Sequence, residues 1–396
     1  MYPTLSFALE DMFGIHLPLP IQMFGFWVAI AFFLAAWVIK TELQRKENEG
    51  LLRATTRKVT VGLAPQFQPV AQSFAIGFFL GFKLLDAVLN YTAFSTNPQE
   101  FILSLRGNIW GGLAAAAFSA YLNYRDQKKL QLPKPKIEEQ VTHPYELTGT
   151  LIVMAAIAGL IGAKIFHNLE NWDELMADPI GSLLSFSGLT FYGGLIVAGI
   201  VIWVYSQKEG IPTAHMLDIA ALPLALAYGV GRIGCQTSGD GDWGIPVTWT
   251  KIPSFLPEWF WQYNYPHNVI NAGIPIEGYV GRYSHVLPQM VYPTPLWEAI
   301  AGIVVFIILW SIRKKLPVAG MLSGIYLVLM GIERFLVEKI RVNTTYHIGD
   351  YHITQAEIIS TVSVLAGLFI IYYFNKHKNR FAYSKMRETA QSPKVA

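Results

Sequence analysis

The chain has 396 residues, 53% of them hydrophobic and only 14% charged. Soluble chains carry about 25% charged residues, so this one cannot surround two or three water-solvated domains with polar surface. A single cysteine, Cys235, rules out an internal disulfide framework, and a net charge of +3 leaves no electrostatic footprint for nucleic acid.

A membrane-spanning helix needs about 20 mostly apolar residues. Such runs lie near 21–40, 72–92, 108–124, 147–167, 188–206, 215–235, 294–312, 319–340 and 353–375. The run at 108–124 is short and Ala-rich, and it borrows from 101–107 to reach across. The chain therefore reads as an all-α, polytopic membrane protein with about nine transmembrane helices, a single integral-membrane domain over 1–396. No basic segment precedes the first run, which reads as a retained span rather than a cleaved signal.

Basic residues collect on alternate connections. Residues 40–58 hold six, 125–136 hold five, 313–315 are Arg-Lys-Lys, and the segment from 376 onward holds six. Lys208 stands alone in a short loop on the same side. The positive-inside rule then puts the N-terminus outside and the C-terminus in the cytoplasm, with 236–292 as a periplasmic loop.

Two segments resemble each other. Residues 75–90 (AIGFFLGFKLLDAVLN) and 156–171 (AIAGLIGAKIFHNLEN) share a pattern of small and apolar residues around Gly-x-Lys. Each is followed by an aromatic-Gly-Gly-Leu sequence that opens the next run, at Trp110–Leu113 and Tyr192–Leu195. The offset is 81 residues at Lys83/Lys164 and 82 at Trp110/Tyr192. Such constancy points to a duplicated two-helix hairpin, with 72–129 as the extra copy.

Ionisable groups inside the hydrocarbon cost about 2.5–3.5 kcal/mol each on insertion scales, and they mark either ion pairs or function. The runs contain Lys83, Asp86, Lys164, Asp218, Arg232, Glu298, Glu333, Arg334 and Glu338, with Arg341 at the end of the eighth. Lys83 and Asp86 (i, i+3) and Arg334 and Glu338 (i, i+4) are spaced to neutralise one another. Lys164, Arg232 and Arg334 project to the outer half of the membrane from three spans. Three cations at one depth suit an anion, and a phospholipid head group is the anion found there. Residues 231–244 (GRIGCQTSGDGDWG) are dense in glycine, which lets backbone amides approach a ligand closely. An arginine beside such a turn holds phosphate oxygens in a fork. Asp240 and Asp242 in this loop are too weak a signal for a metal, and no metal is expected.

Four motifs then carry a resemblance. Asp218–Pro223 running into Gly231-Arg232-Ile233-Gly234 resembles the signature helix of the prolipoprotein diacylglyceryl transferases. The segment 186–195 (FSGLTFYGGL) is similar to that family's aromatic-x-Gly-Gly-Leu helix entry, and Pro293–Glu298 (PTPLWE) to its Pro-Ser-Gln-Leu-Tyr-Glu. Residues 324–341 (GIYLVLMGIERFLVEKIR) resemble its Arg-x-x-Val-Glu-x-x-Arg helix. The likeness covers 147–375 as a family-like core.

The resemblance implies an enzyme of the bacterial plasma (inner) membrane. Such an enzyme moves the diacylglyceryl group of phosphatidylglycerol to the lipobox cysteine of a preprolipoprotein. Glycerol phosphate leaves, no cofactor is needed, and the partners are that lipid, the lipobox peptide and the bilayer. By position Arg232 and Arg334 correspond to the family's head-group arginines. Glu298, Glu338 and Arg341 correspond to charged supporting positions, and Lys164 supplies a third cation. Tyr192, Gly193 and Gly194 would line the lipid cavity, and Asp240 falls where the family has an acidic residue.

Several positions depart from the pattern. Tyr192 stands where the family has His, and Cys235 through Asp240 (CQTSGD) replace its Asn-x-x-Asn-Gly-Glu. The family's second-helix Arg is Lys164, and Tyr292 replaces a His before Pro293. A phenol with a pKa near 10 is a poor base at neutral pH but a good donor. His167, three residues from Lys164, is the candidate base in its place. Two functions follow: lipid transfer to protein cysteine, or a catalytically divergent lipid-binding paralogue acting as a membrane scaffold or interaction partner.

Overall fold

A computed structural model describes residues 1–96, 98–184, 190–248, 252–342, 345–348 and 351–383. Every apolar run forms a long helix: α1 (Met23–Asn48), α2 (Phe67–Leu89), α3 (Ile109–Leu130), α4 (Thr148–Glu170), α5 (Phe191–Lys208), α6 (Thr213–Ser238), α7 (Thr294–Ile312), α8 (Met321–Glu338) and α9 (Gln355–Lys376). Among the described residues, seven are long and apolar enough to cross a membrane, all but α3 and α8. The expected nine included both. The apolar part of α3 stops at 121, and α8 carries Glu333, Arg334 and Glu338 within 18 residues. Of the motif segment 186–195, residues 186–189 lie outside the described residues.

The α2–α3 and α4–α5 hairpins cross in the same way. A Cβ on Gly81 would lie 2.3 Å from the Gly111 carbonyl oxygen, and one on Gly162 would lie 2.5 Å from that of Gly193. Only hydrogen fits at either crossing, so the backbones meet directly. The Asn108 amide donates to the Phe82 carbonyl at 2.8 Å, and the Thr190 amide to the Ala163 carbonyl at 3.1 Å. Asn90 and Asn171 end the first helix of each hairpin with nearly the same backbone, φ −117° and −116°. Two short helices follow in each, Tyr91–Thr96 with Pro98–Leu103 and Trp172–Ala177 with Pro179–Leu184. The strands that precede the hairpins, β1 (Thr55–Val61) and β2 (Lys136–Thr142), pair antiparallel with each other.

Lys83 does not neutralise Asp86. Its ammonium donates to the carbonyls of Phe101, Ser104 and Arg106 at 3.0, 2.5 and 2.6 Å. Asp86 instead accepts from Asn90 at 2.7 Å and pairs with Arg106 at 3.3 Å. The end of the short helix Pro98–Leu103 exposes carbonyls with no intrahelical donor. A buried ammonium with three donors satisfies several of them at once.

The second half of the chain is organised on α6, which packs against α1, α7 and α8 around Ala31, Val38, Leu222, Ala225, Val305, Leu309 and Leu322. Gly229 permits close approach of α7, since a Cβ there would sit 2.9 Å from the Ala299 carbonyl oxygen. At the far end of α6, the buried Asp218 accepts from the amides of Gly320 (2.8 Å) and Ser323 (3.0 Å). Those are orphan donors at the start of α8, where a carboxylate is favoured. The same end is closed by the C-terminal segment. Ala382 bridges Val318, and the Tyr383 hydroxyl donates to Asp218 at 3.2 Å and accepts from the fully buried Lys46 at 3.5 Å.

The glycine crossing gives a direct test. Gly193→Ala should cost about 1–3 kcal/mol through overpacking, seen as a lower thermal midpoint of the detergent-solubilised protein. Gly199→Ala, on the same helix in open space, should change the midpoint little or raise it, because alanine favours helix over glycine by about 1 kcal/mol.

Candidate active site

Asp218 also sets the register of the site. Arg232 lies 14 residues beyond it on α6, about 21 Å along the axis, and Arg334 lies 11 residues beyond Ser323 on α8, about 16 Å. Two helices running the same way and pinned at one end thus deliver their arginines to similar depths. α7 supplies the group between them: Glu298, in its first turns and fully buried.

Glu298 holds three guanidiniums. Arg334 Nη1 donates to its Oε1 at 3.0 Å, Arg341 Nη1 to Oε2 at 3.2 Å, and Arg232 Nε lies 3.5 Å from Oε2. Asp242, in the loop after α6, closes the ring: it accepts from Arg232 Nη1 and, at 2.5 Å, from Arg341 Nη2. Arg334 Nη2 also pairs with Glu338 at 2.9 Å, as the i, i+4 spacing predicts. The loop is tied in place by its backbone. Ile245 N donates to Ile340 O at 2.8 Å, and the Thr294 hydroxyl to the Asp242 carbonyl at 2.8 Å.

A buried carboxylate tolerates its environment only when paired and fully hydrogen-bonded, and Glu298 satisfies that demand from three sides. The arginines are not used up by it. Each guanidinium has five donors, and the Arg232 and Arg334 side chains keep 18% and 21% of their surface exposed against 8% for Arg341. N–H groups on Arg232 and Arg334 therefore remain for an anion, held by the carboxylates in fixed orientation. Burial alone would raise the Asp242 carboxyl, but Arg232 and Arg341 outweigh it and hold the group below its ordinary 3.8. The Asp242 link contributes fully above that pH and is lost as pH falls through the depressed value. Burial, assisted by the charge of Asp242, lifts Asp240 above the usual carboxylate range.

Of the other expected site residues, Tyr192 is half-buried at the start of α5, within the electrostatic reach of Arg334, Glu338 and Arg232. Gly193 and Gly194 sit at a helix crossing. Both are buried in the contact with α4, where a Cβ would meet Phe166 Cβ at 2.3 Å and the Gly159 carbonyl oxygen at 2.8 Å respectively. Lys164 is half-buried on α4, at the station Lys83 occupies in the first hairpin. His167 faces the end of its own helix, with Nδ1 3.1 Å from Asn171 Nδ2. Asp240 accepts from the Asp242 amide at 3.4 Å and stands beside the buried Cys235. The donor atoms of Cys235, Asp240 and Asp242 lie within 4.8 Å of one another. Both Asp242 oxygens already serve arginines, so a dication there would compete with two fixed cations.

Three residues join the site from outside the expected set. Asp242 joins two arginines. Tyr228, one helical turn before Arg232, stacks its ring 5.2 Å from that guanidinium and donates to Glu298 at 3.0 Å. Glu333, buried, lies 3.5 Å from the Tyr228 hydroxyl through both of its oxygens. The i−4 relation of Tyr228 to Arg232 was the available signal for one of them; the other two depend on contacts across helices.

Comparison with known proteins adds the following. Residues 131–373 match the family model of prolipoprotein diacylglyceryl transferase, a stretch that begins after the first hairpin. A Leptospira interrogans protein named phosphatidylglycerol–prolipoprotein diacylglyceryl transferase is 27% identical over 290 residues, covering 61% of this chain and 82% of the relative. Proteins of the same name from Dehalococcoides mccartyi and Chlorobaculum tepidum are each 28% identical. The first covers 59% of this chain and 80% of its own, the second 54% and 68%.

Glu298→Gln should destabilise the protein by about 3–5 kcal/mol, because it leaves three guanidiniums around a neutral amide. The loss should appear as a lower unfolding midpoint in detergent. A midpoint equal to that of the unaltered protein would mean the arginines do not depend on Glu298.

Proposed function

The chain belongs to the prolipoprotein diacylglyceryl transferase family, and from that premise we propose that it transfers the diacylglyceryl group of phosphatidylglycerol to the lipobox cysteine of prolipoproteins in the bacterial plasma membrane. The observation that carries this reading is the pair Arg232 and Arg334, from two helices, with open N–H groups beside one shared, fully buried carboxylate. Such a pair holds a phosphodiester in a bidentate fork. It also stabilises the charge that develops as glycerol phosphate departs.

The substrate brings its own nucleophile, so the protein needs no reactive residue to form a covalent intermediate. The lipobox thiol attacks the glyceryl carbon, the carbon–oxygen bond to phosphate breaks, and a thioether remains. Nearby cations favour the thiolate. The basic loops support an orientation with the arginine cluster toward the outer face, where an exported prolipoprotein presents its cysteine. By the same orientation the N-terminus lies outside and the C-terminus in the cytoplasm. The matching crossings of the two hairpins support 72–129 as an added copy of the α4–α5 unit, placed outside the family core. The phenol of Tyr192, in the field of Arg334, serves as a hydrogen-bond donor to the phosphate in place of the family's imidazole.

A lipid-binding scaffold without turnover is the second reading, favoured by Tyr192 at the family's histidine position. Expression of this chain alone in cells depleted of their own transferase separates the two. Restored lipoprotein modification is expected, with a loss of at least about 100-fold in Arg232→Ala, the scale for removing one transition-state donor. Normal expression without modification would establish the scaffold.

A further inference from the structure

Asp242, Glu298 and Glu338 each have an arginine within ion-pair distance, whereas two acids of the site, Asp240 and Glu333, have no ion pair among the described residues. Asp240 lies in the loop after α6, and Glu333 is buried within α8. A carboxyl without a fixed cation is the one free to change its proton. Its nearest polar neighbour is the Tyr228 hydroxyl, equidistant at 3.5 Å from both Glu333 oxygens and 3.0 Å from Glu298. Tyr228 is half-buried, and its ring lies under the guanidinium of Arg232. A phosphate held by Arg232 would therefore have this ring beside it.

Resting on the transferase reading, we propose that Tyr228 and Glu333 are the proton path of the reaction: the phenol meets the incoming thiol, and Glu333 positions it and receives the proton. The step balances. As sulfur bonds to the glyceryl carbon, the carbon–oxygen bond breaks and its electron pair leaves with glycerol phosphate. With substrate bound, the phenol turns its one O–H from Glu298 to Glu333, and the thiol proton passes to the Tyr228 oxygen as the phenol's own proton passes to a Glu333 oxygen. Glu333 then returns the proton to water or to the departing phosphate. The contact at 3.5 Å is at the limit of hydrogen bonding, as acid–base contacts commonly are before substrate tightens them. Glu298 does not fill this role, because its oxygens are engaged by three guanidiniums as their common anchor. His167 is turned to Asn171 at the end of α4. The charged and titratable groups acting on Glu333 are Tyr228 and Arg232 of α6, Glu298 of α7, and Arg334 and Tyr326 of its own helix. The last of the packed helices, α9, brings Ser360 and Val364 against α8 at Gly331.

The test uses the full-length protein in vesicles containing phosphatidylglycerol, given a synthetic lipobox peptide, with transfer followed by mass at a series of pH values from acid to neutral. The unaltered protein should lose activity as pH falls and Glu333 takes up a proton. Glu333→Gln should lower kcat by about 100-fold or more, the usual contribution of a positioned acid–base group. Its KM for phosphatidylglycerol should be unchanged and the acid limb of its profile gone. Glu333→Asp should recover part of kcat and restore an acid limb, and Tyr228→Phe should match Glu333→Gln. Three results would overturn the proposal: full activity in Glu333→Gln or Tyr228→Phe, an unaltered acid limb in Glu333→Gln, or equal loss of activity and binding in both Glu333 variants. In each of these the unaltered protein still transfers lipid, so the transferase reading stands. Absence of transfer by the unaltered protein, with lipid bound, overturns that reading and the proton path with it.

Discussion

Glu298 is the constraint on which the rest of the site depends. A carboxylate taken wholly out of water forces its surroundings to supply compensating charge, and here that demand draws Arg232, Arg334 and Arg341 from three stretches of chain to one point. The attraction runs both ways. Guanidiniums drawn together out of water need an anion among them, and Glu298 is that resident anion. The arrangement resembles a socket whose lining is preorganised by one internal charge. On the proposed function, an incoming phosphodiester would meet donors already held in orientation and bear little of the cost of ordering them.

This ordering is maintained from a distance. Asp218 caps α8 some 20 Å away along α6, so the depth of Arg334 relative to Arg232 is set by a contact that touches neither. Gly229 fixes how closely α7 approaches α6, and thereby where Glu298 falls. Rigid helices transmit the settings of their ends, which is why a polar site can be built accurately inside a bilayer from few side chains.

Much of this was legible in the sequence, and the failures have a common cause. Each apolar run became a helix within a few residues, because length and hydrophobicity are local properties. Arg334 and Glu338 paired as their i, i+4 spacing required. Lys83 and Asp86 had a comparable spacing and did not pair, since three unsatisfied carbonyls at the end of a short helix outcompeted a single carboxylate. Gly193 and Gly194 were expected to line a lipid cavity because the family resemblance implied it. In the fold their missing side chains serve close helix packing. Tyr228 went unlisted, and Asp242 and Glu333 stood outside the expected site, because each has a partner 70 to 105 residues away that no periodicity reports.

The C-terminal segment has a bearing on how the chain comes to be folded. Tyr383 lies 337 residues beyond Lys46, whose ammonium it helps to satisfy in a fully buried position. A ribosome delivers α1 first and Tyr383 among the last described residues, so throughout synthesis the inserted first helix carries a cation whose final partner does not yet exist. Completion of this contact is thus deferred until Tyr383 has been made, as expected where contacts of great sequence separation close late. A nascent chain stalled short of Tyr383 would lack the hydroxyl that Lys46 and Asp218 share at that end of the bundle.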